Sequence, residues 1–270
     1  MLRVGLIQMC SGRDPARNAK DAEALIRDAA GQKAQFIATP ETTNIMDEDL
    51  ARVRASVAGE AQDETVRRFA GLAAELKVFL MAGSLALVGE NGKLVNRCLI
   101  WGPDGRLVAR YDKIHLFDVD LGGAESYRES DRFAGGDSAV LADVAGAKLG
   151  LTICYDVRFP ALHRALALKG AEILTGPAAF TRITGEAHWH VLLRARAIET
   201  GSFVLAPAQS GRHETGRETY GHTLAINPWG KVIAELAEGP GVVMADLDLA
   251  EVAAARAKIP ALKNARDFRS

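Results

Sequence analysis

Cys154 lies in Gly150-Leu-Thr-Ile-Cys154-Tyr-Asp-Val-Arg-Phe-Pro160, where an apolar strand-like run stops at a thiol and a proline then opens a helical pattern. A thiol at such a junction is expected to be exposed at a sheet edge and shifted towards the nucleophilic thiolate by the free N–H groups of the following helix. A lone cysteine also needs a base, and in α/β folds ligands gather at the carboxyl ends of strands. Two other strand ends carry suitable groups. Glu41 follows Phe36-Ile-Ala-Thr-Pro40, in which the proline ends the strand and sets a carboxylate at its rim. Lys113 lies in Val108-Ala-Arg-Tyr-Asp-Lys113-Ile-His-Leu-Phe117, a strand-like run ending with a cation among apolar neighbours. The three are too far apart in sequence to pair locally, so only the fold can join them.

Other chemistries have less support. His188 and His190 form an HxH pair, but i,i+2 side chains diverge on a helix and no carboxylate or cysteine completes a recognisable metal motif, so structural roles are expected. Cys10 and Cys98 lie in strand patterns and read as small buried apolar residues. His115, two residues past Lys113, reads as a hydrogen-bonded structural histidine. A Cys-x5-Arg phosphatase loop is excluded because position 160 is proline. A papain-like enzyme would need His163, His188 or His222 as its base. A binding or scaffolding protein would leave thiol, carboxylate and cation without a task.

The elements that must position these groups follow from apolar periodicity. Leu2 to Met9 reads as a strand; Asp14 as N-cap and Pro15 at the first helical position open a helix to about Gln32; Gln35 to Thr39 is a second strand. A helix over Gly59 to Lys77 and a strand over Val78 to Leu87 complete β-α-β-α-β. Turns at Asn91-Gly92, Pro103-Asp-Gly105 and Ala145-Gly146 separate strands at 93–101, 107–114, 139–144 and 148–154, read as antiparallel hairpins added to a mixed sheet. Beyond Pro160 come a helix to about Lys169, a strand at 171–175, a helix from about Glu186 to Thr200, strands at 203–208, 221–227, 231–236 and 242–248, and a helix at 249–256. Strands outnumber helices, and the helices are spaced to cover outer faces only. That predicts an α/β fold, an α-β-β-α sandwich of two mixed sheets with outer helices.

The chain has 270 residues, 48% hydrophobic and 25% charged, with a formal net charge of −1. It reads as a single domain over 1–270, with a helix and tail at 249–270 that find little core left and are expected to pack at a subunit interface. Balanced charge without a Lys/Arg run gives no support for nucleic-acid or membrane partners. No run of about 18 apolar residues and no signal-peptide cleavage site occur, and three cysteines form no CxxC pair. A cytoplasmic protein with reduced thiols is expected.

Pro40-Glu41, Tyr111-Asp-Lys113-Ile-His-Leu-Phe117 and Cys154-Tyr-Asp-Val-Arg-Phe-Pro160, in this order, resemble the nitrilase or carbon–nitrogen hydrolase superfamily. The resemblance runs on through Ala179 to Trp189, Leu193 to Glu199, Tyr220-Gly-His-Thr223 and Asn227-Pro-Trp-Gly230, and so covers nearly the whole chain. It implies a cofactor-free, metal-free hydrolase of a small amide in which Cys154 is the nucleophile, Glu41 the base and Lys113 the stabiliser of the oxyanion, helped by the backbone N–H of Tyr155. By position Glu129 matches the family's second glutamate, with Glu125 as rival. Phe180 and Thr184 correspond to pocket positions, and Arg158 either pairs with a substrate carboxylate or forms an ion pair with Asp156 or another fold-fixing carboxylate. Tyr155-Asp156 after the nucleophile departs from the Trp-Glu usual in true nitrilases and favours amides. Thr39 to Asn44, His115 to Asp120, Ala208 to His213 and Tyr220-Gly-His222 look most like deaminated glutathione amidases, with ω-amidases acting on free 2-oxoglutaramate as the alternative. An acidic substrate would suit Arg158, Arg182 or Arg212, and the resemblance suggests a homodimer or larger assembly.

Overall fold

The computed structural model describes residues 1–90, 92–122 and 126–268. Asn91 of the expected Asn91-Gly92 turn and Glu125, the rival to Glu129, lie outside them. Among the described residues two mixed sheets stack face to face. The first has seven strands, ordered Gly241–Leu247, Leu2–Gln8, Phe36–Ala38, Phe79–Val88, Leu94–Trp101 and Leu107–Asp112, with Phe133–Ala134 added beside Leu94–Trp101. The second has six, ordered Val232–Leu236, Thr223–Ile226, Phe203–Ala206, Ile173–Thr175, Ala147–Gly150 and Leu141–Val144. The central strands of each sheet pair in parallel and the outer ones antiparallel, apart from Phe133–Ala134, which runs parallel to Leu94–Trp101.

Six helices are described: α1 (Pro15–Gly31), α2 (Leu50–Ser56), α3 (Glu64–Leu76), α4 (Pro160–Leu168), α5 (Arg182–Thr200) and α6 (Ala250–Lys258). The strand period of two feeds two cores from one strand: Leu2, Val4 and Leu6 face the second sheet, whereas Ile7 packs with Ala22, Ile26, Phe69 and Leu72 of α1 and α3. On the other side Leu162 and Leu166 of α4 and Trp189 and Leu193 of α5 cover the second sheet. The layers are therefore α-β-β-α.

Several boundaries move for identifiable reasons. The strand before the nucleophile ends at Gly150, because Asp156 captures the N–H of Ile153 at 2.8 Å and turns the chain away from the sheet. α3 starts at Glu64 because the Asp63 side chain caps the N–H groups of Thr65 and Val66. α5 starts four residues before the expected Glu186. α2 and the hairpins Asp118–Asp120/Ser126–Arg128 and Ser210–Arg212/Glu218–Tyr220 were not expected; they are too short and polar to carry a period. Cys10 is exposed rather than buried, since it lies past the end of its strand, whereas Cys98 is buried between the sheets. α6 does find core: Val252 is buried, and the Arg256 guanidinium donates to Thr200 O at 3.0 Å and Ala171 O at 2.6 Å. Only the tail beyond α6 stays outside, with Ile259 and Phe268 exposed.

Candidate active site

Glu41 sits in the turn after the parallel strand Phe36–Ala38. The turn closes over Gly83 of the next strand so tightly that a Cβ there would overlap Thr39 O and Pro40 O. The Gly83 N–H donates to Thr39 Oγ1 at 3.2 Å and the Ser84 N–H to Pro40 O at 3.2 Å, so the carboxylate leaves a fixed backbone. Lys113 follows strand Leu107–Asp112, its N–H donating to Asn96 O at 3.0 Å. Cys154 opens a 3₁₀ turn, Cys154–Arg158, in the left-handed region at φ 48°, with its N–H on Pro177 O at 2.9 Å.

Buried Asp156 fixes that turn to the lysine segment. It accepts from Tyr111 Oη at 2.7 Å, the His115 N–H at 3.1 Å and the Ile153 N–H at 2.8 Å, and lies 2.7 Å from His115 Nδ1. His115 also stacks on Phe159, ring centroids 3.5 Å apart. His115 is thus the structural histidine expected, and the residues flanking Lys113 and Cys154 clamp one another.

At the centre Lys113 Nζ lies 2.8 Å from Glu41 Oε1 and 2.8 Å from Glu129 Oε2. Asn96 Nδ2 donates to both carboxylates, at 3.0 Å to Glu41 and 3.1 Å to Glu129. The Ala179 N–H donates to Glu41 Oε2 at 2.8 Å and the Phe117 N–H to Glu129 Oε2 at 2.7 Å. Burial acts against the charge on Lys113, but the carboxylates of Glu129 and Glu41 more than offset it and hold the ammonium well above its usual range. Burial likewise works to raise Glu41, and Lys113 together with hydrogen bonds from Cys154 and Ala179 brings it below the usual carboxylate range. The Cys154 thiol goes the other way: burial and then the Glu41 charge push it well above its ordinary value, with Lys113 opposing. The expectation of an exposed, thiolate-leaning cysteine is therefore corrected. Cys154 is only 7% exposed, α4 begins beyond an intervening turn, and the resting pair is thiol plus carboxylate.

A cleft with about 720 Å³ of empty space, counting its mouth, opens onto these groups. Glu41, Lys113, Glu129, Cys154, Phe180 and Thr184 all line it. The Tyr155 ring does not; it packs edge-on to Phe117 and Phe159, at 5.2 and 5.4 Å between centroids. Its N–H lies at the open N-terminus of the 3₁₀ turn, between the Cys154 N–H on Pro177 O and the Asp156 N–H on Ile153 O. Arg158 does not line the cleft either. Its guanidinium lies over the rings of Phe180 and Tyr155, 5.3 and 5.9 Å from the centroids, with Nη2 3.3 Å from His188 Nδ1. Asp156, the other partner considered for it, is already filled by Tyr111 and His115. Arg182 pairs with Glu186 at 3.1 Å and Arg212 is exposed; neither lines the cleft.

The sequence reading missed two residues. Asn96 bridges the carboxylates; its signal was a lone amide in the otherwise apolar start of Leu94–Trp101. Arg217 lines the cleft from the tip of an unforeseen hairpin, with Nη2 donating to Ala179 O at 2.7 Å and the guanidinium over Tyr127 at 5.2 Å. Its Nε is buried and has no acceptor among the described residues.

A buried thiol beside a carboxylate, with a buried ammonium and a second carboxylate on an α-β-β-α sandwich, makes a candidate hydrolase site. The chain belongs to the carbon–nitrogen hydrolase family, whose model matches residues 3–257. It is 36% identical to a deaminated glutathione amidase of Yersinia enterocolitica over 97% of this chain and 92% of that one, and 34% identical to an ω-amidase of Homo sapiens over 98% and 95%. Among solved structures the C. elegans NitFhit protein superposes with a TM-score of 0.92 at 33% identity, over 98% of this chain and 65% of that one. An amidase of Nesterenkonia sp. AN1, at 27% identity and a TM-score of 0.79 over 96% of this chain and 98% of that one, has been seen as a glutamate-to-glutamine mutant with acrylamide added to its active-site cysteine. The protein is accordingly an amidase, a hydrolase of carbon–nitrogen bonds outside peptides. No helix among the described residues is long and apolar enough to cross a membrane.

Proposed function

We propose that the chain hydrolyses a small, carboxylate-bearing carboxamide to an acid and ammonia through a thioester on Cys154. The observation that carries this reading is the convergence of Cys154, Glu41 and Lys113 on one cleft, with Lys113 Nζ 2.8 Å from Glu41 Oε1. As Sγ attacks the amide carbon, Glu41 takes the thiol proton, and Lys113 Nζ and the Tyr155 N–H receive the developing oxyanion. Glu41 returns the proton to the leaving nitrogen, ammonia departs and the thioester remains. Glu41 then deprotonates a water that attacks the thioester, and its proton goes back to the departing thiolate. Glu129 and Asn96 keep Lys113 aimed at the oxyanion rather than paired with Glu41 alone. Phe180 and Thr184 form pocket wall, and Arg158 acts through the Phe180 ring rather than on substrate.

Deaminated glutathione is the substrate we favour, with free 2-oxoglutaramate as the second reading, after the names of the relatives at 34–36% identity. The buried, unpartnered Nε of Arg217 supports an acidic substrate: a carboxylate is the acceptor that such a donor lacks. We further propose a cytoplasmic homodimer or larger assembly built around α5 and the 259–268 tail, where Val191, Ile198 and Ile259 are exposed.

Ammonia release across deaminated glutathione, 2-oxoglutaramate and neutral amides tests the reading, with Cys154→Ala as the blank. Turnover is expected for the acidic amides, and Arg217→Met should raise KM for them while sparing neutral ones. Rapid hydrolysis of 2-oxoglutaramate with none of deaminated glutathione would replace the favoured substrate by the second.

A further inference from the structure

His190, His222 and Glu235 come from different parts of the chain, and none of them lines the catalytic cleft. His190 is on α5, His222 follows strand Glu218–Tyr220, and Glu235 belongs to Val232–Leu236 at the edge of the second sheet. Their donor atoms converge. Glu235 Oε1 is 2.9 Å from His190 Nε2 and 2.6 Å from His222 Nδ1, and the three ligand atoms lie within 4.8 Å of one another. The HxH pair thus divides: His188 turns to Arg158, whereas His190 meets a histidine and a carboxylate that only the fold supplies.

We propose that these three side chains form a binding site for a divalent transition-metal ion of the Zn²⁺ class, with the remaining coordination positions open to water. Two imidazoles and one carboxylate suit such an ion better than Mg²⁺ or Ca²⁺, which prefer all-oxygen shells. With bonds of about 2.0–2.2 Å, tetrahedral donor atoms stand roughly 3.3 Å apart, so the two contacts of Glu235 with the histidines have to open by only about half an ångström around the ion. The ion pairs given for Glu235 among the described residues are with these two histidines, at 2.9 and 2.6 Å.

The surroundings orient the ligands. His222 is held in the left-handed region at φ 55°, its N–H donating to Ala237 O at 2.9 Å and its carbonyl accepting from Trp189 Nε1 at 2.9 Å. The Tyr220 ring stacks on His222 with 4.1 Å between centroids and meets His190 edge-on at 6.1 Å. Glu235 is exposed and both imidazoles are half-buried, so an ion has a way in. Bound there, it would fasten α5, which carries Thr184 of the cleft, to the edge strand of the second sheet.

The test is calorimetric titration of the chelator-treated full chain with Zn²⁺ at a pH of about 7.5, above the usual imidazole range. One ion per chain is expected, together with a rise in Tm. His190→Gln and Glu235→Gln should each weaken binding at least about tenfold, while ammonia release by the metal-free variants stays at the wild-type level. That last readout is separate from the amide chemistry, which Cys154→Ala tests. Absence of binding to the wild-type chain, or Zn²⁺ held as tightly by both variants, overturns the proposal.

Discussion

Lys113 shares its charge between two carboxylates 2.8 Å away on either side, and a neutral side chain there leaves both without a counter-ion. Lys113→Ala is therefore expected to lower kcat/KM by at least about 10²–10³. His188→Ala, which reaches the cleft only through Arg158 and the Phe180 ring, should stay within about twofold; a cysteine–histidine enzyme would survive the first change and be stopped by a change at its own base. The free-enzyme pH profile follows from the same charges. Glu41 is held below the usual carboxylate range and Cys154 well above the usual thiol range, so the working pair of ionised base and protonated thiol persists across neutral pH. Plotted against pH, kcat/KM should be flat near neutrality and fall on the acid side only below the usual carboxylate range. An acid limb centred near 6.5 would instead point to a histidine base. At this scale the sequence singled out Cys154, Glu41 and Lys113 by their strand-end positions, and the fold brings the three to one cleft. It was silent about Asn96 and Arg217, because an amide and an arginine serve many purposes and their partners here lie across the fold.

Elements in this molecule interlock at glycines where a side chain would not fit. A Cβ on Gly185 of α5 would overlap the Tyr220 ring, and one on Gly83 would push against the turn carrying Glu41. Gly185→Ala is expected to cost about 1–3 kcal/mol by overpacking, read from urea unfolding. Gly83→Ala should lower kcat more than stability, because the displaced atoms belong to the segment that aims the base. Equal losses in the two quantities would count against that view. Long periodic segments were legible: α1 begins at Pro15 behind its Asp14 cap, as the sequence predicts, and α4 begins at Pro160. Short elements were not. The 210–212/218–220 hairpin that delivers Arg217 has three residues per strand, too few for alternation to register, and the turn at Cys154 depends on an aspartate whose partners are 45 and 41 residues away.

Across the whole molecule the sandwich was readable from the count of strands against helices, but the mutual placement of the sheets was not. Buried groups between the layers make stability depend on pH. His163 of α4 is held neutral mainly by burial, its pKa lowered from 6.5 to about 4. A depressed folded-state value contributes stability that is complete above the unfolded value and is lost as pH falls from about 6.5 towards 4. For this group the contribution is about 3 kcal/mol. Urea melts at pH 7 and pH 4 should show that loss in the wild type and a smaller one in His163→Leu. The proposed assembly is checked by light scattering: Val191→Glu with Ile198→Glu, both on the exposed side of α5, should shift a dimer or larger species towards monomer. The groups of the candidate site, finally, are divided between the two layers: Glu41, Asn96 and Lys113 belong to the first sheet and its turns, whereas Cys154 and Ala179 come from segments of the second. On the proposed mechanism neither half holds both nucleophile and base, so turnover is a gauge of how the two sheets are seated. A partly melted chain that keeps either layer intact should be catalytically dead, and heat inactivation should track the parting of the sheets rather than the loss of helix.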